Sequence, residues 1–254
     1  GQPKRYSTVY INGIKLSDPS TPSNDYYFGN LMNNSFESIE VLKGSQSTLY
    51  GSGAIAGAVN LYTKKGKKGH NHSGSISEGS FGTSNMNLSY DGKEDKYDYF
   101  FEVSNFSSDG ISARIDDDEK DRYRNDNYVA NIGYQINDQI RTETYINYTD
   151  TFLEYDSVGL SSTDDNSSDD QQTLFSTKLI VNTGNLLNTI AFNKTYFLRE
   201  TVVGYNSGSP TKDMYEGQRD VINLFGQYNL DLDTKVNYGL DYEIDEAEIP
   251  SNYT

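Results

Sequence analysis

Beyond residue 74, hydrophobic and polar side chains alternate with a period of two through most of the chain. Tyr97, Tyr99, Phe101 and Val103 share one side of an extended segment, and Asp98, Phe100, Glu102 and Ser104 the other. Tyr128, Ala130, Ile132, Tyr134 and Ile136 are set against Val129, Asn131, Gly133, Gln135 and Asn137. Ile140, Thr142, Thr144, Ile146 and Tyr148 oppose Arg141, Glu143, Tyr145 and Asn147. Val236, Tyr238, Leu240, Tyr242 and Ile244 oppose Lys235, Asn237, Gly239, Asp241, Glu243 and Asp245. Such patterning predicts strands with one apolar and one polar face. Weaker versions at 74–81, 85–91, 174–182, 186–200 and 221–230 bring the total to about nine strands. Helical i, i+3, i+4 spacing is scarce, so the expected fold class is all-β.

The connections alternate in length. Short polar turns are expected at 92–96, 137–139, 183–185 and 231–234, and long polar loops at 107–127, 156–173 and 203–218. Short turns at one end and long loops at the other are the habit of an outer-membrane barrel. A soluble or secreted β-sandwich also alternates faces, but its strands run to about 5–6 residues, against roughly 9–11 to cross a bilayer.

Composition first pulls the other way. The 254 residues include 21 Lys and Arg against 37 Asp and Glu, a formal charge of −16, and only 34% are hydrophobic. Mean hydropathy is −0.74, and no run approaches the ~18 apolar residues of a membrane helix. These numbers alone suggest a soluble acidic protein. Membrane β-strands, however, leave no hydropathy peak, and an aromatic content of 13% is high for a disordered acidic chain. The absence of Cys excludes a disulfide scaffold, a thiolate metal site and a Cys nucleophile. The acidic balance argues against a nucleic-acid partner.

The first seventy residues have a different character, Gly-rich and irregular. The stretch Glu37-Ser38-Ile39-Glu40-Val41-Leu42-Lys43-Gly44-Ser45, continuing through Leu49-Tyr50-Gly51-Ser52-Gly53-Ala54-Ile55-Ala56-Gly57-Ala58-Val59-Asn60-Leu61, resembles the C-terminal half of the plug domain of TonB-dependent outer-membrane receptors. Upstream, Val9-Tyr10-Ile11-Asn12-Gly13-Ile14-Lys15-Leu16 resembles the preceding plug strand and turn. Ser45, Lys43 and Ala56 stand where the family usually has Pro, Arg and Gly. Gly74-Ser75-Ile76-Ser77-Glu78-Gly79-Ser80-Phe81-Gly82-Thr83 and Ser108-Asp109-Gly110-Ile111-Ser112-Ala113 are similar to early strands of the cobalamin-receptor branch, with siderophore receptors as competitors.

The resemblance implies residues 1–69 as the C-terminal part of a plug and 70–254 as the N-terminal part of a transmembrane β-barrel, about nine antiparallel strands that do not close it. Nine strands in residues 74–248 is about 19 residues each, and a 22-stranded barrel at that spacing needs roughly 420 residues. The expectation is therefore an internal fragment of a larger receptor in a Gram-negative outer membrane. Its partners would be membrane lipid, a small-molecule nutrient and the TonB energy-coupling complex, whose contact segment is not expected in this stretch. The implied function is energy-coupled import of a scarce bulky nutrient, cobalamin or a related corrinoid, with a siderophore (ferric chelate) as the alternative. A passive porin or a β-sheet adhesin is the rival from another class.

Candidate sites follow from the same resemblance. Asn24, Asp25, Tyr26 and Tyr27 lie in an expected apical plug loop, where hydrogen-bonding groups and flat aromatic surface suit a large ring system. Lys43 is expected to lock the plug to inner-wall carboxylates, with Glu102, Glu143, Asp241 and Glu243 on offer. Two long loops are rich in Asp; Asp116, Asp118 and Asp126 in one, with Asp156, Asp164 and Asp165 in the other, are candidate ligands for a structural calcium. A solvated acidic loop is the plainer reading, since the spacing matches no EF-hand. His70 and His72, with the Lys64–Lys68 run, read as a flexible connector. No Ser/His/Asp nucleophile set is discernible, so no catalytic site is expected.

Overall fold

The structure is a computed structural model that describes residues 7–45, 54–112, 119–156, 165–204, 210–231 and 233–249. Two sheets account for it. The smaller has four strands in the order β2-β1-β4-β3, with β1 Ser7–Ile11, β2 Ile14–Lys15, β3 Phe36–Lys43 and β4 Gly57–Thr63. Asn12 and Gly13, at φ 50 and 87, make the tight turn that folds β2 back on β1. β4 is central, parallel to β1 and antiparallel to β3. Its first residue must be small: a Cβ on Gly57 would fall 2.4 Å from the Leu42 carbonyl oxygen, and its φ is 152.

The larger sheet has nine antiparallel strands in strict sequence order: β5 Gly69–Glu78, β6 Ser84–Lys93, β7 Tyr97–Ser108, β8 Tyr123–Asn137, β9 Ile140–Asp156, β10 Asp165–Asn182, β11 Leu186–Val203, β12 Thr211–Asn229 and β13 Lys235–Glu248. All nine expected strands are present and the class is all-β. Among the described residues the sheet does not close, since β5 and β13 each pair on one side only.

The strands are longer than the alternation suggested. β9 to β12 have 17, 18, 18 and 19 residues, whereas a bilayer is crossed in about 9–11. Much of what reads as long loop is strand that continues beyond the length a bilayer requires. The register of β10 on β9 runs without a break from Asp165 opposite Asp156 to Val181 opposite Ile140. Outside the bilayer the outer face has no need to be apolar, so the polar run from Asp165 to Gln172 keeps its pairing and loses the sequence signal. His70 and His72 are corrected likewise. They lie in β5, paired with Gly92 and Tyr90, because backbone pairing with β6 orders a stretch whose side chains show no apolar period.

The faces of the large sheet are inverted relative to a soluble protein. Its outer face exposes Phe101, Ile132, Ile146, Ile190, Phe192 and Ile222. Its inner face buries Asp98, Glu102, Ser104, Asn131, Asn147, Ser176, Thr195 and Arg219. Polar groups are inside because the small sheet and its loops cover them, and an apolar outer face on a polar-lined wall is the pattern of strands that cross a bilayer. One apolar cluster joins the two units: Ile11, Ile14, Leu16, Tyr26 and Leu61 from the small one against Phe100, Val129, Tyr145, Leu174 and Phe197 from the wall.

Candidate functional site

After β2 the chain from Leu16 to Leu31 bends over the inner face of β8 to β11. Asp18 organises the bend: its Oδ1 accepts the Ser20 N–H at 2.8 Å and the Ser20 hydroxyl at 2.7 Å. The Thr21 hydroxyl donates to the Asp18 and Asp25 carbonyls at 2.9 and 2.8 Å. Single 3-10 turns at Pro22–Asn24 and Phe28–Asn30 complete the loop.

Its anchor is Tyr26, 6% exposed, edge-on to Phe28 and Phe197 at 5.0 and 6.1 Å. The phenol donates to Gln172 Oε1 at 3.0 Å, and burial pushes its pKa up to about 12. Asn30 donates through Nδ2 to Asp170 at 3.2 Å, and its carbonyl accepts from Asn125 at 2.9 Å. The Tyr123 hydroxyl donates to the Gly29 carbonyl at 3.0 Å, and Arg199 pairs with Asp18 at 3.4 Å.

Between this loop and the wall lies a cavity of about 300 Å³. The loop contributes Asp18, Asp25, Tyr26, Tyr27 and Asn30 among others, and the wall contributes Thr149 and Thr151 on β9, Asp170 and Gln172 on β10, and Phe197 and Arg199 on β11. Of the expected ligand-binding residues, Asp25, Tyr26 and Tyr27 therefore come together. Asn24 is exposed on the first 3-10 turn and is not among the lining residues. Tyr27 stands at 61% exposure beside Phe28 at 44%, an aromatic rim above the anchored Tyr26. The wall residues went unpredicted. Alternation marks them as inward-facing and gives no sign of which ones the loop covers.

Lower down, the contact between the units is polar. Lys65 meets Glu143 at 2.6 Å, and Arg141 joins Glu143 at 3.0 Å to Asp98 at 2.6 Å. Asn131 donates to Thr63 Oγ1 and the Lys64 carbonyl, both at 3.1 Å. Lys178 donates to the Asn12 carbonyl, and Arg219 to Ser17 Oγ. Arg219 also holds Asp245 through two bonds of 2.6 Å. Asn12, Lys65, Asn131, Glu143, Lys178 and Arg219 border a second chamber of about 690 Å³.

The expected role of Lys43 is corrected. It lies exposed at the end of the edge strand β3 and pairs with none of Glu102, Glu143 or Glu243. Glu143 is taken by Lys65, Glu243 by Arg219 at 3.3 Å, and Glu102 is buried on the inner face of β7. Lys65 follows β4 and reaches Glu143, whereas Lys43 ends the outer edge strand β3. The supposed connector thus supplies a docking cation, and Lys64 likewise donates to the Asn34 carbonyl at 2.7 Å.

Of the candidate calcium ligands, Asp116, Asp118 and Asp164 fall outside the described residues. Asp126 is occupied in the wall, accepting from Asn105 at 2.7 Å and pairing with Arg124 at 3.2 Å. Asp156 and Asp165 face each other across β9 and β10. The two acidic segments do converge, through a different set: one carboxylate oxygen from each of Glu119, Asp121 and Asp156 lies within 4.8 Å of the others.

The family model of the TonB-dependent Receptor Plug Domain matches residues 1–58. The chain is 28% identical over 171 residues to the vitamin B12 transporter BtuB of Photobacterium profundum, covering 61% of this chain and 26% of that protein. It is 35% identical over 109 residues to PiuA of Acinetobacter baumannii, described as a probable TonB-dependent siderophore receptor, covering 43% of this chain and 12% of that one. The crystal structure of PiuA superposes with a TM-score of 0.72 at 17% identity, covering 96% of this chain and 38% of that chain. The chain thus spans about a quarter or less of the curated relatives it matches.

Proposed function

The chain belongs to the TonB-dependent receptors of the Gram-negative outer membrane, and we propose that it serves energy-coupled import of a scarce bulky nutrient, with the apex cavity as its seat. Residues 1–69 are the plug and 70–254 the wall of this reading. The observation that carries it is the cavity of about 300 Å³ closed jointly by the plug loop and β9 to β11. A ligand seated there touches both units, so binding it can shift one against the other. The outer membrane holds no ATP, and energy would arrive when TonB pulls on the plug.

Cobalamin or a related corrinoid is the first reading of the substrate, supported by the B12 transporter that matches over 61% of the chain. A ferric siderophore is the alternative, supported by PiuA. Growth rescue of a receptor-deficient strain tests both. Corrinoid-dependent growth only in cells with TonB is expected, while growth on a ferric siderophore instead selects the alternative. Uptake independent of TonB would contradict the proposal and indicate a passive porin.

Glu119, Asp121 and Asp156 support a second, structural role. Three carboxylates supply up to six of the six to eight oxygens a calcium ion takes, and they join two outer segments. In the full-length receptor, calcium is expected to slow hydrogen exchange in both segments together, an effect lost in Asp156→Asn. Unchanged exchange would remove calcium from the account.

A further inference from the structure

Nutrient import makes no use of the outer face of β5 to β7, yet that face is not a plain apolar wall. A groove of about 530 Å³ lies on it, lined by His72, Gly74, Leu88, Tyr90, Phe101 and Val103 among others. Leu88, Tyr90, Phe101 and Val103 are exposed. Gly74, paired with Leu88, has no side chain to fill the recess, and an added Cβ would fall 2.8 Å from Leu88 Cδ2.

Towards the turn between β6 and β7 the groove gives way to polar groups. His70 Nδ1 lies 2.6 Å from the Tyr99 hydroxyl and 3.3 Å from that of Tyr90, and its Nε2 lies 3.3 Å from Glu94. The imidazole stacks on both rings, with centroids 6.4 Å apart in each case. Tyr97 and Tyr134, stacked at 5.1 Å, continue the aromatic row along the wall. Such rows mark a membrane interface, where one end of the ring is apolar and the other wet. A short turn places this interface on the periplasmic side. Past the row stand Lys67, Lys68, Lys93 and Lys96, all exposed and none ion-paired among the described residues. A backbone bridge brings Lys68 and Lys93 together. In a chain of formal charge −16, this is a concentration of unpaired cations.

We propose that this groove holds one phospholipid of the periplasmic leaflet, with its phosphodiester between Lys68, Lys93 and the His70–Tyr90–Tyr99 cluster and an acyl chain over Gly74 and Leu88. Cation, hydroxyl and apolar surface follow one another along the wall in the order of a lipid read from phosphate to chain. A phosphodiester is negative and only accepts hydrogen bonds, which lysine ammonium and phenol groups donate. Phosphatidylglycerol brings no cation of its own to the four lysines, whereas a phosphocholine headgroup does, so the site prefers the anionic lipid.

Native mass spectrometry of the delipidated full-length receptor in detergent tests this. The probes are phosphatidylglycerol and phosphatidylcholine with the same acyl chains, and glycerol 3-phosphate as the phosphate without chains. Phosphatidylglycerol is expected to be retained best. The double variant Lys68→Gln, Lys93→Gln should bind it about ten-fold or more weakly and lose the preference over phosphatidylcholine. Gly74→Leu fills the recess and displaces only the end of the Leu88 side chain, so it should weaken both lipids about three-fold or more. Lys212→Gln, on β12 and paired with Glu200, should change nothing. Equal retention of the two lipids, or phosphatidylglycerol binding unmoved by the lysine pair or by Gly74→Leu, overturns the proposal. Competition by glycerol 3-phosphate as strong as by the whole lipid also overturns it, since the site would then be one for a soluble anion. Heat-modifiable mobility on a gel reports whether each variant is folded, and Lys93→Gln alone carries the headgroup test if the double variant is not.

Discussion

The two halves of the plug–wall contact are built on opposite principles. At the apex the contact centres on apolar packing: Tyr26, Leu16, Leu174 and Phe197 pack together, with a neutral hydrogen bond from Tyr26 to Gln172 and the Arg199–Asp18 pair beside them. Below, around the larger chamber, ionised groups make the contact, with Lys65 on Glu143, Lys178 on the Asn12 carbonyl, and Arg219 between Ser17 and Asp245. Apolar burial stabilises in proportion to the area removed from water. A partly exposed ion pair returns little more than its desolvation costs. The comparison teaches that the apex fixes where the plug sits, whereas below it the half-exposed Lys65–Glu143 pair can exchange its partner for water at small cost. Under the proposed function, that asymmetry would suit a plug that stays in place at rest and still yields to a pull from below.

The comparison can be broken most severely at the apex. Tyr26→Ala removes a buried ring and is expected to cost about 3–5 kcal/mol of docking, read as faster amide exchange in β1 and β2. Tyr26→Phe keeps the ring and should cost only about 0.5–1.5 kcal/mol; an equal loss in both would put the hydrogen bond above the packing. Leu174→Ala, on a side chain with 0% exposure, should cost about 2–5 kcal/mol by the same readout. Lys65→Ala should cost under about 1 kcal/mol, because that side chain is 48% exposed against 18% for Glu143. If Lys65→Ala loosens the plug as much as Leu174→Ala does, the division into an apolar apex and a yielding base is wrong.

Much of the wall was legible because its period of two is imposed by physics on every residue. The faces of 97–103, 128–136 and 140–148 read from sequence are those the structure turns outward and inward. Strand ends were not legible, since above the bilayer both faces are polar and Asp165 to Gln172 looks like loop. In the apex loop, Asp25, Tyr26 and Tyr27 could be singled out by family likeness, but not that Tyr26 would be an anchor. That depends on Phe197 and Gln172, distant in sequence and brought near only by the register of β10 on β11. Lys43 failed for a related reason. Strand order decides which plug residues face the wall, and nothing in a linear pattern places β3 at the outer edge and β4 within reach of Glu143.

The central claim is that the nutrient sits in the apex cavity, and filling that cavity tests it most directly. Thr151 lines it from the wall and is 1% exposed. Thr151→Trp should occupy the space a ligand needs, with the loop and its Tyr26 anchor left to the readout of exchange in β1 and β2. The account predicts that nutrient uptake by cells carrying this variant falls about ten-fold or more at unchanged receptor level in the outer membrane. Uptake at the unsubstituted rate, with the receptor present and the cavity filled, would contradict it.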